Sequence, residues 1–97
     1  MLKHVVLLRW KEGTEPAAIE RFGAGLQALS ESIGEIRSYR FGPDAKLQDN
    51  EFDYVLVAEF DDVESYQRYV VHPDHQAFLQ RDAAPILERF AANQFYC

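Results

Sequence analysis

Two histidines and one tyrosine lie close together in the second half of the chain, at Tyr69, His72 and His75. Pro73 stands between the histidines. Because proline lacks an amide hydrogen and has a fixed φ, we expect one helix to end near Val71 and another, carrying His75, to begin. A neutral imidazole can take a proton at pH 7, and a phenol can donate to a carbonyl oxygen that becomes an enolate. The run is therefore a candidate proton-transfer site, with His75 as general base and Tyr69 as hydrogen-bond donor.

The third histidine, His4, belongs to a segment dense in β-formers, Lys3 to Trp10, which is predicted to be the first strand. Side chains alternate between the two faces of a strand, so His4 shares a face with Trp10. From a strand beneath the helices, His4 could form a hydrogen bond with His75 and fix its tautomer. His4 is therefore the third candidate catalytic residue.

Other kinds of site have weaker support in the sequence. His72, Asp74 and His75 are plausible zinc ligands by type, but zinc requires three or four converging ligands and no further partner is evident. No glycine-rich phosphate loop is present, and the single cysteine, Cys97, is terminal and poorly placed for a nucleophile. We expect no metal and no cofactor, with His72 in a surface turn.

The length and net charge of the chain limit the classes of protein to which it can belong. The chain has 97 residues, of which 47% are hydrophobic, so we expect a single domain, 1-97, with a real core. Its net charge of -6 repels phosphate backbones and anionic lipid, so neither nucleic acid nor a membrane surface is an expected partner. No apolar run approaches the roughly 20 residues of a membrane span, and the start does not resemble a signal peptide. We therefore expect a cytoplasmic protein.

Helical and strand periods follow one another along the whole chain. After the first strand, Thr14 is the expected cap of a helix whose apolar stripe ends near Gly34; that stripe comprises Ile19, Phe22, Leu26, Leu29 and Ile33. Gly23 and Gly25 favour a loosely packed middle of this helix; the alternative is that these small residues let another segment approach closely. Two strands follow, Glu35 to Gly42 and Phe52 to Phe60. A helix capped by Asp61 or Asp62, a second helical piece over Gln76 to Asp82, and a last strand over Glu88 to Tyr96 complete the order.

This β-α-β-β-α-β order, with the second helix split, predicts an α+β fold of ferredoxin-like type with strands 1 and 3 central. Helices on one side of a four-stranded antiparallel sheet leave its other face bare. That bare face would carry Val5, Leu7, Val55 and Val57. A contiguous apolar sheet face usually has a partner, and two such sheets packed together would close a homodimer.

Three segments resemble the stress-responsive A/B barrel (Dabb) domain family, and the resemblance as a whole extends over nearly the whole chain. The opening strand Leu2 to Trp10 is similar to that of the family, and Tyr54 to Asp61 is similar to its third strand and following cap. The run Tyr69 to His75 resembles the family's Tyr-x-x-His-Pro-x-His motif. The resemblance implies a ferredoxin-like fold that pairs into a dimeric α+β barrel.

The resemblance also implies candidate catalytic positions. The family includes a plant polyketide cyclase that makes olivetolic acid by an intramolecular aldol condensation, without a cofactor. Its catalytic tyrosine and two histidines correspond to Tyr69, His75 and His4 here. This chain differs from it at its end, Asn93 to Cys97, where the family usually shows an Asp-Tyr ending, and at Gly23 to Gly25, where a pocket-lining aromatic would be expected.

Two classes of function remain open from the sequence. The first is a cofactor-independent enzyme of cyclase, isomerase or small monooxygenase type, acting on an apolar carbonyl or phenolic compound held between Trp10, Phe22, Phe78 and Leu79 as pocket walls. The second, which we favour from the sequence, is a homodimeric module of unresolved function with a candidate small-molecule pocket at Tyr69 and His75, serving assembly or sequestration. In it the tyrosine and histidines satisfy their own hydrogen bonds and Pro73 simply ends a helix. A cavity of roughly 300 Å³ or more beside His75 and Tyr69 would favour the first.

Overall fold

A computed structural model describes residues 1–97. The chain begins with β1 (Leu2–Trp10), followed by α1 (Pro16–Ser32), β2 (Ser38–Pro43) and β3 (Tyr54–Phe60). The second half contains α2 (Val63–Val71), α3 (Pro73–Phe78), a single π-helical turn (Leu79–Ala83) and β4 (Leu87–Tyr96). None of these helices has the length and hydrophobicity needed to cross a membrane.

The four strands form one antiparallel sheet in the order β2-β3-β1-β4, so the predicted ferredoxin-like arrangement with β1 and β3 in the centre is confirmed. The alternation of β1 is also confirmed, since His4, Val6, Leu8 and Trp10 are buried on the face that the helices cover. The helices do not extend over β4, which is exposed along nearly all of its length. The helix side of the sheet is therefore open at this edge.

The predicted cap of α1 is wrong, whereas its predicted end is close. The hydroxyl of Thr14 donates to the carbonyl of Lys11 at 2.6 Å instead of capping α1, whose N-cap is Glu15, with Pro16 in the first turn. At the other end the C-cap is Ile33, and Gly34 follows it directly, although its φ is not positive. The helix therefore begins and ends within one or two residues of the predicted positions.

The middle of α1 is closely packed, contrary to the expectation of a loose helix. A Cβ on Gly25 would lie 2.7 Å from the Phe78 ring and 2.7 Å from the Asp82 carboxylate. Real Cβ atoms essentially never approach this closely. Glycine at this position therefore lets α1 contact α3 and the π-helical turn, and this contact holds Phe78 against the core.

Candidate functional site

The break between α2 and α3 lies at His72, which directly precedes Pro73 and caps both helices. Asp62 caps the start of α2 by accepting from the Ser65 amide at 2.8 Å. His72 ends α2 and caps α3, its Nδ1 accepting from the Asp74 amide at 3.1 Å. His72 therefore has a structural role in the turn, and His75 lies in the first turn of α3, close to the end of α2.

A cavity of about 240 Å³ lies between the helices and the sheet beside this break. Its polar lining comes from two histidines and three tyrosines: His4, Tyr39, Tyr66, Tyr69 and His75. The rest of the wall is apolar, and it contains three of the four predicted wall residues: Phe22, Phe78 and Leu79. No aspartate, glutamate, lysine or arginine lines it. Phe90 of β4 also lines the cavity and is 60% exposed, so the cavity reaches the surface at the sheet edge.

The cavity volume of about 240 Å³ is smaller than the roughly 300 Å³ expected for a ligand site. At roughly 30 Å³ per molecule of liquid water, the cavity has room for about eight waters. It therefore fits a compound of about one ring with a short substituent.

Trp10, the fourth predicted wall residue, does not line this cavity. Its ring packs in the core, with centroids 4.9 Å from Phe22 and 5.5 Å from Tyr54. Trp10 and His4 do share a face of β1, as predicted, but six residues of strand place them roughly 20 Å apart. Sharing a strand face therefore did not bring Trp10 into the site.

His75 is held in one tautomer by the backbone. Its Nδ1 lies 3.0 Å from the carbonyl oxygen of Val70. A carbonyl can only accept, so Nδ1 carries the hydrogen and Nε2 is left as an unprotonated acceptor. The predicted partner for this role, His4, is not the group that fixes the tautomer. Burial lowers the pKa of His75 below its ordinary 6.5, so the ring is neutral at pH 7.

His4 is held by a residue that the sequence analysis did not single out. Gln94 faces His4 across the β1–β4 ladder, and its amide nitrogen donates to His4 Nδ1 at 2.9 Å. The hydrogen of His4 is therefore on Nε2. Gln94 belongs to the C-terminal segment that differs from the family's usual ending, and that difference was the only sequence signal for it.

Tyr69 is almost completely buried, 2% exposed, and its ring centroid lies 4.4 Å from that of His75. Its hydroxyl lies 2.7 Å from the hydroxyl of Tyr39, which comes from β2. Burial raises the pKa of Tyr69 to about 12, so it is a hydrogen-bond donor at neutral pH. Tyr39 belongs to the second predicted strand, and its pairing with Tyr69 was not predicted.

The structure thus gathers the three candidate catalytic residues around one cavity. Nε2 of His75 is an acceptor, Nε2 of His4 a donor, and the Tyr69 hydroxyl a donor, in an apolar surrounding without charges. Such a set can take a proton from a bound molecule and stabilise a negative oxygen that develops. No group of three or more histidine, cysteine, aspartate or glutamate side chains is arranged to hold a metal ion.

The buried histidine pair predicts an acid-labile fold. Burial and the nearby His75 lower the pKa of His4 to about 4, whereas an unfolded histidine titrates near 6.5. Between these values the unfolded chain binds more protons than the folded one, so stability falls as the pH drops from 6.5 towards 4. One pKa unit corresponds to roughly 1.4 kcal/mol. Allowing for hydration of the cavity, we expect His4 to account for a loss of about 2 kcal/mol.

The measurement is urea unfolding of the wild type and His4→Gln at pH 7.5 and pH 4. Carboxylates titrate in both proteins, so their contribution cancels in the comparison. The variant should lose about 2 kcal/mol less unfolding free energy than the wild type on acidification. Equal losses in both proteins would show that His4 is not held in its neutral form.

Comparison with known proteins places these features in a family context. A family model described as the Stress Responsive A/B Barrel Domain matches residues 2–97. Stress-response A/B barrel domain-containing protein HS1 of Arabidopsis thaliana is 29% identical over 79 residues, which cover 79% of this chain and 72% of that protein. Olivetolic acid cyclase of Cannabis sativa is 29% identical over 79 residues, which cover 79% of this chain and 78% of the cyclase.

A solved structure from Thermobifida fusca, described as a dimeric ferredoxin-like protein of unknown function, is also similar. It has a TM-score of 0.89 and 33% sequence identity, and the match covers 99% of this chain and 90% of that one.

Proposed function

This chain belongs to the stress responsive A/B barrel domain family, and we propose that it is a homodimeric small-molecule-binding protein whose cavity catalyses proton transfer without a cofactor. The observation that carries the proposal is the fixed tautomer of His75, because the Nδ1 hydrogen bond to Val70 leaves Nε2 free as a base beside the cavity. Similarity to a relative named as a cyclase supports an enzymatic role.

The lining favours a neutral ligand with one polar end. A carboxylate or phosphate would lose its hydration in the cavity without meeting a cationic side chain, since none is present. A carbonyl compound with an apolar body would instead place its oxygen among the hydroxyl and imidazole donors. We therefore propose an apolar carbonyl compound, with the carbonyl next to Tyr69 and the adjacent C–H next to His75.

The proposed step is enolisation. Nε2 of His75 takes a proton from the carbon beside the carbonyl, the C–H electron pair becomes the new C=C bond, and the carbonyl π electrons move to oxygen. The Tyr69 hydroxyl donates a hydrogen bond to that oxygen as its negative charge develops. The proton on Nε2 then passes to the enolate oxygen, which completes the enol and leaves the histidine neutral again.

The second part of the proposal is the homodimer. Val5 and Val57 are directly paired across β1 and β3, as are Leu7 and Val55, on the sheet face that no helix covers. These four apolar side chains are half-buried in the single chain. The dimeric state of the Thermobifida fusca structure supports a second copy of this chain as the partner.

The test of the chemistry uses 1-phenylbutane-1,3-dione, an apolar compound with an acidic methylene between two carbonyls. We expect the wild type to accelerate its keto–enol interconversion, followed by the absorbance of the enol, by about 100-fold or more over buffer. Binding, detected by NMR shifts at His75 and Tyr69, without acceleration would reduce the protein to a binding module. Absence of binding would contradict the proposed site as a whole.

A further inference from the structure

The two hydroxyls at the end of the cavity form a pair with one hydrogen left over. The oxygens of Tyr39 and Tyr69 lie 2.7 Å apart, and neither has another hydrogen-bonding partner in the protein. Each phenol has one hydrogen, and one of the two is used between the oxygens. Both residues line the cavity, so the remaining hydrogen is available to a bound molecule.

The surroundings of the two rings show which hydroxyl is better placed to meet a ligand that reacts at His75. The Tyr69 ring lies 4.4 Å from His75 and 6.4 Å from His4, by ring centroids. The aromatic neighbours of Tyr39 are Phe41 at 6.0 Å and Tyr69 at 6.1 Å, and neither is a histidine. A ligand with its reacting carbon beside His75 therefore has its oxygen nearer to Tyr69.

We propose that Tyr39 is a positioning residue that donates its hydrogen to the oxygen of Tyr69, so that the Tyr69 hydrogen is directed to a ligand oxygen that gains negative charge. This inference rests on the proposed function of the cavity. An oxygen that accepts one hydrogen bond becomes a stronger donor in the next, and the effect is larger in a surrounding of low dielectric. The chain of two phenols therefore selects compounds that react through an enolate or phenolate oxygen.

The burial of Tyr39 supports this role. Its ring packs against the core, and burial raises the pKa of its hydroxyl far above the ordinary value of 10.0. Tyr39 therefore stays a neutral donor when charge develops on the ligand. The hydrogen bond from Tyr39 in turn stabilises negative charge at Tyr69, since it lowers the pKa of Tyr69 against the effect of burial.

The experiment separates the charge on the ligand from its shape. The probe is 4-nitrophenol, whose ionisation in the cavity is read from its absorbance between pH 6.5 and pH 9, and the neutral reference is 4-nitroanisole. We expect Tyr39→Phe to raise the pKa of bound 4-nitrophenol by about half to one unit, the size of one such hydrogen bond. Binding of 4-nitroanisole should stay within about twofold of the wild type.

Two further variants complete the test. Tyr69→Phe should raise the pKa of bound 4-nitrophenol at least as much as Tyr39→Phe does. The double variant should raise this pKa no further than Tyr69→Phe alone, because Tyr39 acts through Tyr69. Tyr54→Phe removes a phenol outside the cavity and should change neither measurement.

Each other outcome overturns the inference in a recognisable way. If Tyr39→Phe leaves the pKa of bound 4-nitrophenol unchanged, Tyr39 does not act through Tyr69, although the cavity still binds ligands. If both probes bind more weakly to the same extent, the Tyr39 hydroxyl has only a packing role. If Tyr39→Phe has an effect and Tyr69→Phe has none, Tyr39 is itself the donor. If neither probe binds to the wild type, the proposed function fails and this inference fails with it.

Discussion

His75→Asn is expected to slow the interconversion of 1-phenylbutane-1,3-dione by about 10²–10⁴-fold, the usual contribution of a general base. The asparagine amide can occupy the place of Nδ1 and keep the donor to the Val70 carbonyl, now 3.0 Å from the ring. It has no group in the place of Nε2, so only the base is removed. Circular dichroism and urea unfolding at pH 7.5 should show a folded protein close to the wild type in stability.

His72→Asn is the matched control for this prediction. It removes the other imidazole of the same turn but keeps a side chain that can cap α3 by accepting from the Asp74 amide. His72 does not line the cavity, so the rate should stay within about twofold. If His72→Asn were slow and His75→Asn stayed active, the general base would be His72 and not His75.

The pH profile gives an independent readout of the same base. Because burial lowers the pKa of His75 below 6.5, the wild-type rate should fall on acidification with its midpoint below pH 6.5. A midpoint above pH 6.5 would mean that a different group takes the proton.

Leu7→Glu is expected to convert the dimer into a folded monomer. Leu7 lies at the centre of the bare sheet face, opposite Val55. In a two-fold symmetric dimer each substitution appears twice in one interface, so two like charges would be desolvated together. A cost of roughly 3 kcal/mol or more raises the dissociation constant at least about 100-fold. Light scattering after size-exclusion chromatography, carried out over a range of protein concentrations, measures this dissociation constant.

The control for the dimer is Leu47→Glu. Leu47 is an apolar residue in the β2–β3 connection and is 89% exposed, so the same chemical change there should leave the mass of the dimer unchanged. Circular dichroism should show that both variants fold, since Leu7 is not part of the helix-side core. A dimer that persists in Leu7→Glu would place the interface elsewhere.

Much of the fold was predictable because hydrophobic periodicity reports burial directly. The alternation of β1 and β3 predicted which side chains face the helices, and the strand order β2-β3-β1-β4 agrees with the element order read from the chain. The start of α1 was predicted less well: Thr14 has the right residue type for a cap but does not cap the helix, whose N-cap is Glu15. Several local turns of similar energy compete at a helix end, and residue type alone does not choose between them.

Residue type and spacing alone identify His4, Tyr69 and His75 as candidate site residues, because the motif around Pro73 and the alternation of β1 are both local patterns. The role of each of the three depends on contacts that form when the chain folds. The tautomer of His75 depends on the carbonyl of Val70, the hydrogen of His4 on Gln94, and the orientation of Tyr69 on Tyr39. Gln94 and Tyr39 lie 90 and 30 residues away from their partners. A hydrogen bond over such a separation requires the sheet register and the helix packing to be set first, and no local pattern in the chain encodes it.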